Sequence, residues 1–261
     1  MVGKNLVADI GNTHIVIGIF AENKVMHSFR LSTDKLKTED EYFTLIHNLC
    51  QSAGFDLKKI KNFALSSVVP KLTRSFCHLS EKYFQLSPII VDAYLDLGLS
   101  FPMSDPGFIG ADLIVNAFAA CEKYQCNTII CDFGTATTLQ LVGKDGFFHG
   151  TIIAPGVLTS AASLFSSASK LSQIQLTSPP HILGTNTADA LKSGIINGNQ
   201  LMIDAMIKQI KQEYPTLLPL KTVATGGIAQ LICQNSSEID LIDKNLTLEG
   251  LNLICNRVNN S

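Results

Sequence analysis

The chain carries no excess of positive charge: its 261 residues hold 20 lysines and arginines against 22 aspartates and glutamates, a net charge of −2. Without a basic field there is nothing to gather a polyanion or an anionic bilayer, so neither nucleic acid nor a membrane is an expected partner. The seven cysteines (Cys50, Cys77, Cys121, Cys126, Cys131, Cys233, Cys255) are odd in number and form no Cys-x-x-Cys pair. A disulfide framework is therefore excluded, and several of these cysteines sit in apolar runs as small hydrophobes, which points to reduced thiols and a cytoplasmic protein. His14, His27, His47, His78, His149 and His181 are scattered, and no histidine, cysteine or carboxylate group has zinc spacing. A Gly-x-Ser-x-Gly elbow and a Walker loop are both missing. The apolar run after Lys4 ends at Asp9, too soon for a secretion signal. The charge-free stretch 147–169 is interrupted by Pro155-Gly156 and rich in serine and threonine, so it reads as strand, turn and helix rather than a membrane span. With 46% hydrophobic and only 16% charged residues, the chain can bury a substantial core and suits a small-molecule substrate.

Two short segments nearly repeat one another. Asp9-Ile10-Gly11-Asn12-Thr13 follows the apolar run Leu6 to Ala8 and leads into Ile15 to Phe20. Asp132-Phe133-Gly134-Thr135-Ala136-Thr137 follows Thr128 to Cys131 and leads into Thr138 to Val142. Each reads as the turn of a β-hairpin in which glycine admits a ligand close to the backbone, asparagine and threonine add donors, and the aspartate can hold a cation. Either copy alone is equally well a structural turn. Found twice in matching contexts, they are expected to hold the polyphosphate of one nucleotide from two facing hairpins.

The surrounding periodicity predicts strands at 5–10, 14–20 and 25–31, then a helix from Glu39 to Ala53 with the capping box Thr38 to Glu41 and a stop at Gly54. A strand at 63–69, a helix at 72–84 and a strand at 88–91 follow. Past a Pro/Gly-rich loop, Asp96 to Gly110, the pattern starts again: a helix from Ala111 to Tyr124, strands at 127–132, 137–142 and 147–153, helices from Val157 and from Thr187 into Tyr214, and a strand at 222–224. Two three-strand meanders with trailing helices describe an α/β, duplicated ribonuclease H-like (actin-like ATPase) fold. Its two mixed-sheet halves, residues 1–110 and 111–261, are expected to flank a cleft.

Further positions carry potential chemistry. Gly226 and Gly227, after the last strand and opening an expected helix, are a nucleoside loop or a plain strand-to-helix turn. Asp112, following Gly110-Ala111, lies in the first turn of a helix, where the helix dipole favours its ionised form, and shares a face with Asn116. It is either a helix-start residue or a base that accepts the proton of an attacking hydroxyl, with a metal cation neutralising phosphate charge. Lys58, Lys59 and Lys61 read as solvated surface.

Asp9-Ile10-Gly11-Asn12-Thr13, Gly110-Ala111-Asp112, Asn116-Ala117, Asp132 to Thr137, Ala154-Pro155-Gly156, the segment Asn186-Thr187 to Ser193-Gly194 and Thr225-Gly226-Gly227, in this order, resemble the type III pantothenate kinases over nearly the whole chain. The resemblance implies ATP-dependent phosphorylation of the primary hydroxyl of pantothenate, the first step of coenzyme A biosynthesis, by a cytoplasmic homodimer. It implies ATP contacts from Asp9, Ile10, Gly11, Asn12, Thr13, His14, Ile15, Val16 and Thr135, with Gly226 and Gly227 at the nucleoside, and Asp112 as the base. Asp132 would hold an activating monovalent cation, potassium or ammonium, and Mg²⁺ would accompany ATP. Gly110, Ala111, Asp112, Leu113 and Met103 would line the acceptor, joined by Thr187 of the partner subunit. Leu113 and Met103 depart from the family's usual arginine and tyrosine, and both fall on the acceptor side, where an arginine can pair with a carboxylate through two hydrogen bonds. On that reading Leu113→Arg should tighten the acceptor if the position faces it. A nucleotide-binding regulatory protein of the Bvg accessory factor type, without kinase activity, and a kinase of another small hydroxy acid are the alternative readings.

Overall fold

Alternating apolar side chains build the first sheet. The strands β1 (Lys4–Ile10), β2 (His14–Ala21) and β3 (Lys24–Ser32) form an antiparallel meander, as the periodicity predicts. The computed structural model describes residues 3–167 and 174–260; the last positions of the stretch 147–169 lie outside them. After the meander come α1 (Glu39–Ser52), β4 (Ile60–Ser67), α2 (Pro70–Leu79) and β5 (Ile89–Ile90). The predicted capping box closes α1: the Thr38 hydroxyl accepts from Glu41 N while the Glu41 carboxylate accepts from Thr38 N. The sheet order is β3-β2-β1-β4-β5, with β4 and β5 parallel to β1.

The second sheet repeats this plan. α3 (Ala111–Tyr124) is followed by β6 (Thr128–Phe133), β7 (Ala136–Val142) and β8 (Phe148–Pro155), again an antiparallel meander. α4 (Val157–Ser167), α5 (Thr187–Lys192) and α6 (Gly198–Glu213) precede β9 (Lys221–Thr225), α7 (Ala229–Cys233), β10 (Leu241–Ile242) and α8 (Leu246–Asn260). The order β8-β7-β6-β9-β10, with β9 and β10 parallel, matches that of the first sheet strand for strand. The duplication read from the sequence is present in the topology.

Two predicted helices are interrupted. The helix expected at 72–84 ends at Leu79 and widens into a π-helical turn at Ser80–Phe84, and the one expected from Thr187 to Tyr214 widens at Ser193–Asn197. Each wide turn begins at a buried serine that donates its hydroxyl outside the helix, Ser80 to Leu86 O (2.8 Å) and Ser193 to Ile182 O (2.6 Å). A side chain committed to a distant carbonyl is a local disturbance of the helical ladder that periodicity does not register. The predicted helix after Gly226-Gly227 is a five-residue piece that starts only at Ala229.

By packing, the chain divides into residues 1–122 with 245–261, and residues 123–244. The expected halves 1–110 and 111–261 differ from these units in assigning most of α3 and all of α8 to the second. In the first unit, Leu6, Ala8 and Ile10 of β1 join Tyr42, Ile46 and Phe76 of α1 and α2 in one core, while α8 packs on β1, β2 and β4. The period of two in a strand thus buries both faces. Burying Leu248, Leu251 and Ile254 of α8 stabilises its attachment by about 1.5–3 kcal/mol per side chain. Asparagines fix its position. Asn5 Nδ2 donates to Asn252 Oδ1 (2.8 Å) and Asn256 Oδ1 (2.7 Å), and its Oδ1 accepts from Asn62 (2.9 Å). In the second unit, Ile129, Cys131 and Phe133 of β6 play the part of Leu6, Ala8 and Ile10, packing with α4, α6 and α7. None of the seven cysteines forms a disulfide, and burial pushes the Cys50 thiol up to about 11 and those of Cys233 and Cys255 to about 12. Cys50, Cys131, Cys233 and Cys255 are buried and serve as core hydrophobes. No helix among the described residues is long and apolar enough to cross a membrane.

Candidate active site

The first Asp-Gly-Thr segment is the turn joining β1 to β2. Asp9, the penultimate residue of β1, pairs with Val16 across the hairpin and lies beside Ser66 of β4. Gly11 N donates to His14 O (3.0 Å), and Thr33, just past β3, clasps the turn twice: its N donates to Thr13 O (3.0 Å) and its hydroxyl to Gly11 O (2.7 Å). The C=O and following N–H of one peptide plane point in opposite directions. With Gly11 O tied to Thr33, the Asn12 N–H of the same peptide lies on the side opposite Thr33, and Asn12, Thr13 and His14 are exposed. Ile10 and Ile15 are fully buried, so of the predicted ATP contacts these two can offer only backbone atoms.

The second turn, joining β6 to β7, is held the same way from the end of its own third strand. Gly134 N donates to Ala136 O (3.0 Å), and Thr135 O accepts from Gly156 N (3.1 Å) and the Thr159 hydroxyl (2.9 Å). Gly134 and Thr135 are exposed. Gly156 is required here by space. A Cβ at this position would fall on the Thr135 carbonyl and come within 2.7 Å of Gly134 O. The third glycine site belongs to the same place: Gly226, at φ +97°, would put a Cβ 2.6 Å from both N and O of Phe133 and 2.7 Å from Asp132 Oδ1. Asp132 pairs with Thr225 in the parallel register, so its half-buried carboxylate opens onto the space that the absent Cβ leaves. Gly227 is exposed beside it.

Asp112 sits in the first turn of α3 with its Oδ1 accepting from Leu113 N (2.9 Å). A Cβ on Gly110 would lie 2.5 Å from that oxygen and 3.8 Å from Val68 Cγ1, and Val68 N donates to Ile10 O (3.1 Å). The carboxylate is thereby placed at the same end of β1 and β4 as the first turn. Burial raises its pKa above the ordinary 3.8, although the amide hydrogens of Leu113 and of Asp112 itself pull the other way. The sequence reading expected the helix start to keep it readily ionised; desolvation outweighs that effect. Ala111 and Leu113 are buried at 8% and 6% exposure, and Met103 is half-buried. An arginine at 113 would start from a packed site, so the acceptor test expected of Leu113→Arg is confounded by folding. Asn116 is buried and accepts from the Thr247 hydroxyl of α8 (2.8 Å), a structural link rather than an open group.

Thr187, exposed at the start of α5, lines a concavity of about 510 Å³ with Gly184, Thr185, Asn186, Ala190 and Leu191, a volume suited to a small ligand. Among the described residues no group of three or more histidines, cysteines, aspartates or glutamates could hold a metal ion. Sequence reasoning missed Thr33 and Thr159 as supports of the two turns. Neither lies in a motif, and only their places just past β3 and in the first turn of α4 mark them.

Two sheets of one topology, each with a glycine-bearing hairpin turn after its first strand, define the duplicated ribonuclease H-like class that includes actin-like ATPases and sugar kinases. The solved ROK family glucokinase from Streptomyces griseus, in complex with glucose and AMPPNP, aligns with a TM-score of 0.55 at 10% identity, over 99% of this chain and 100% of its own. A conserved putative Baf family transcriptional activator from Campylobacter jejuni aligns with a TM-score of 0.58 at 20% identity, over 98% and 100% of the two chains. At these identities the likeness is one of fold. In sequence, the type III pantothenate kinase family model matches residues 5–209. The type III pantothenate kinase of Geotalea uraniireducens is 41% identical over 252 residues, 97% of this chain and 98% of that one. That of Halalkalibacterium halodurans is 41% identical over 249 residues, 95% and 97% of the two chains. The chain belongs to the type III pantothenate kinase family.

Proposed function

We propose that the chain is an ATP-dependent kinase that phosphorylates pantothenate to 4'-phosphopantothenate, with ADP as the second product, at the start of coenzyme A biosynthesis. Family membership over nearly the whole chain carries this reading. Phosphoryl transfer of this kind needs positioning and charge neutralisation more than covalent help from the protein. Asp112 accepts the proton of the acceptor's primary hydroxyl as its oxygen attacks the γ-phosphorus and the bond to the β,γ-bridging oxygen breaks. A carboxylate with a raised pKa is a better proton acceptor than an ordinary one. The turns at Asp9 to Val16 and at Thr135 contribute phosphate contacts, and Gly226 and Gly227 leave room for the nucleoside. Gly110, Ala111, Leu113 and Met103 contribute to the acceptor side. Mg²⁺ accompanying ATP would supply charge neutralisation at the phosphates.

Asp132 is the group that would hold a monovalent cation. The opening beside its Oδ1 left by Gly226 supports this. Thr187, in its concavity, would serve the acceptor of the partner subunit in a homodimer. Exposed apolar side chains in the second unit, including Ile153, Leu158, Ile182, Leu183 and Leu201, support such an assembly. Sedimentation at the mass of a single chain at micromolar concentration would remove the dimer from this account.

The direct test is coupled ADP release by the purified chain with MgATP and pantothenate, in potassium and then in sodium. Pantothenate-dependent turnover, faster in potassium, is expected. Intact MgATP binding with no turnover on pantothenate would overturn the kinase reading.

A further inference from the structure

We infer that Lys35 supplies the cation that faces phosphate oxygens bound at the first turn. The inference rests on the proposed role of that turn and adds to it a charge that no motif predicts.

The segment after β3 lies across the turn like a strap and is pinned on both sides of Lys35. Thr33 makes its two hydrogen bonds to Gly11 and Thr13. Asp34 is locked to the fully buried Tyr42: its N donates to the phenol oxygen (2.9 Å), and the phenol donates to Asp34 O (2.9 Å). On the far side, Leu36 N donates to the Asp34 carboxylate (2.9 Å). The main chain at Lys35 is therefore fixed relative to the turn before any ligand arrives. Its ammonium stands 3.4 Å from Asn12 Oδ1, the side chain of an exposed residue at the tip of the turn.

The neighbouring charges assign the lysines different work. Lys37 is neutralised by Asp34 at 3.0 Å. Lys35 has no carboxylate partner among the described residues, and Asn12 is a neutral acceptor that orients the ammonium without cancelling its charge. An unneutralised ammonium held beside an exposed glycine-bearing turn is a phosphate site in chemical terms. It fills the role that the Walker lysine fills in P-loop proteins, a lysine this chain lacks. Lysine acts here as a point charge, so arginine at the same place should substitute in part.

The test is calorimetric titration of the full chain and its Lys35→Gln and Lys35→Arg variants with MgATP and with adenosine, alongside thermal melts. Lys35→Gln is expected to weaken MgATP by about tenfold or more, the usual loss for a charged hydrogen bond. Adenosine affinity and melting temperature should stay at wild-type values, and the salt dependence of MgATP binding should flatten. Lys35→Arg should remain within a few-fold of wild type. If the wild type binds MgATP and Lys35→Gln binds it equally well, the lysine is solvated surface and the inference is wrong. Equal losses for MgATP and adenosine, with a lower melting temperature, would make its role structural and overturn it too. Failure of the wild type itself to bind MgATP would instead bring down the reading of the turn, and Lys35 with it.

Discussion

Asp112→Asn is expected to lower kcat by at least about a hundredfold, the lower range for loss of a general base, while leaving MgATP affinity near wild type and raising thermal stability at neutral pH. The two effects share one cause. Burial raises the Asp112 pKa above 3.8 in the folded chain, so the native state favours the protonated carboxyl more than the unfolded state does. The stabilising contribution of that proton is complete below the unfolded value of 3.8 and is lost as pH rises through the folded pKa. Above the folded pKa the native state therefore bears a desolvated charge that asparagine removes at nearly constant shape. The melting-temperature advantage of Asp112→Asn should be largest near pH 7 and shrink on acidification. In the wild type, the acid limb of kcat/KM should lie above pH 3.8. A variant with more than about a tenth of wild-type kcat would show that another group takes the proton. A fall in melting temperature at pH 7 would show that hydrogen bonding, not desolvation, governs the carboxylate.

Gly156→Ala is expected to reduce kcat/KM for ATP by about a hundredfold, because displacing a positioning group by an ångström can cost that much. The added methyl would land on the Thr135 carbonyl, with Gly134 O at 2.7 Å, and both are backbone atoms that cannot rotate aside. The turn must shift or the start of α4 must swing away, and either breaks the bonds from Gly156 N and Thr159 to Thr135 O. Steady-state kinetics with melting curves decide the matter: near-normal kcat/KM in a folded variant would mean that the placement of this turn does not control nucleotide use. An alanine at Gly198 is the control, since a Cβ there meets nothing within 4 Å.

The parts that were legible beforehand share a scale. The meanders, the Thr38 capping box and α3 rest on neighbours within a few residues, and the structure places them within a few positions of the expected ends. Both turns were legible because a glycine between two apolar runs is a local signal. The π-helical turns were not, since Ser80 and Ser193 bond to carbonyls outside their helices. β10 and α8 escaped notice for a related reason. Leu251, Ile254 and Cys255 are buried, but their helix also carries asparagines that read as polar surface until Asn5 and Asn23 supply partners from the other end of the chain.

Sequence alone established the family and the repeated strand-turn-strand plan and singled out Asp112 as a candidate base, all of which depend on residue type and short spacing. Folding in three dimensions decided which sheet receives α8, that Gly226 lies against Asp132, that Thr33 and Gly156 clasp the two turns, and that Lys35 stands over the first. Backbone hydrogen bonds and steric fit act over a few ångströms of space whatever the distance along the chain, so contacts of this kind leave no periodic trace in the order of residues.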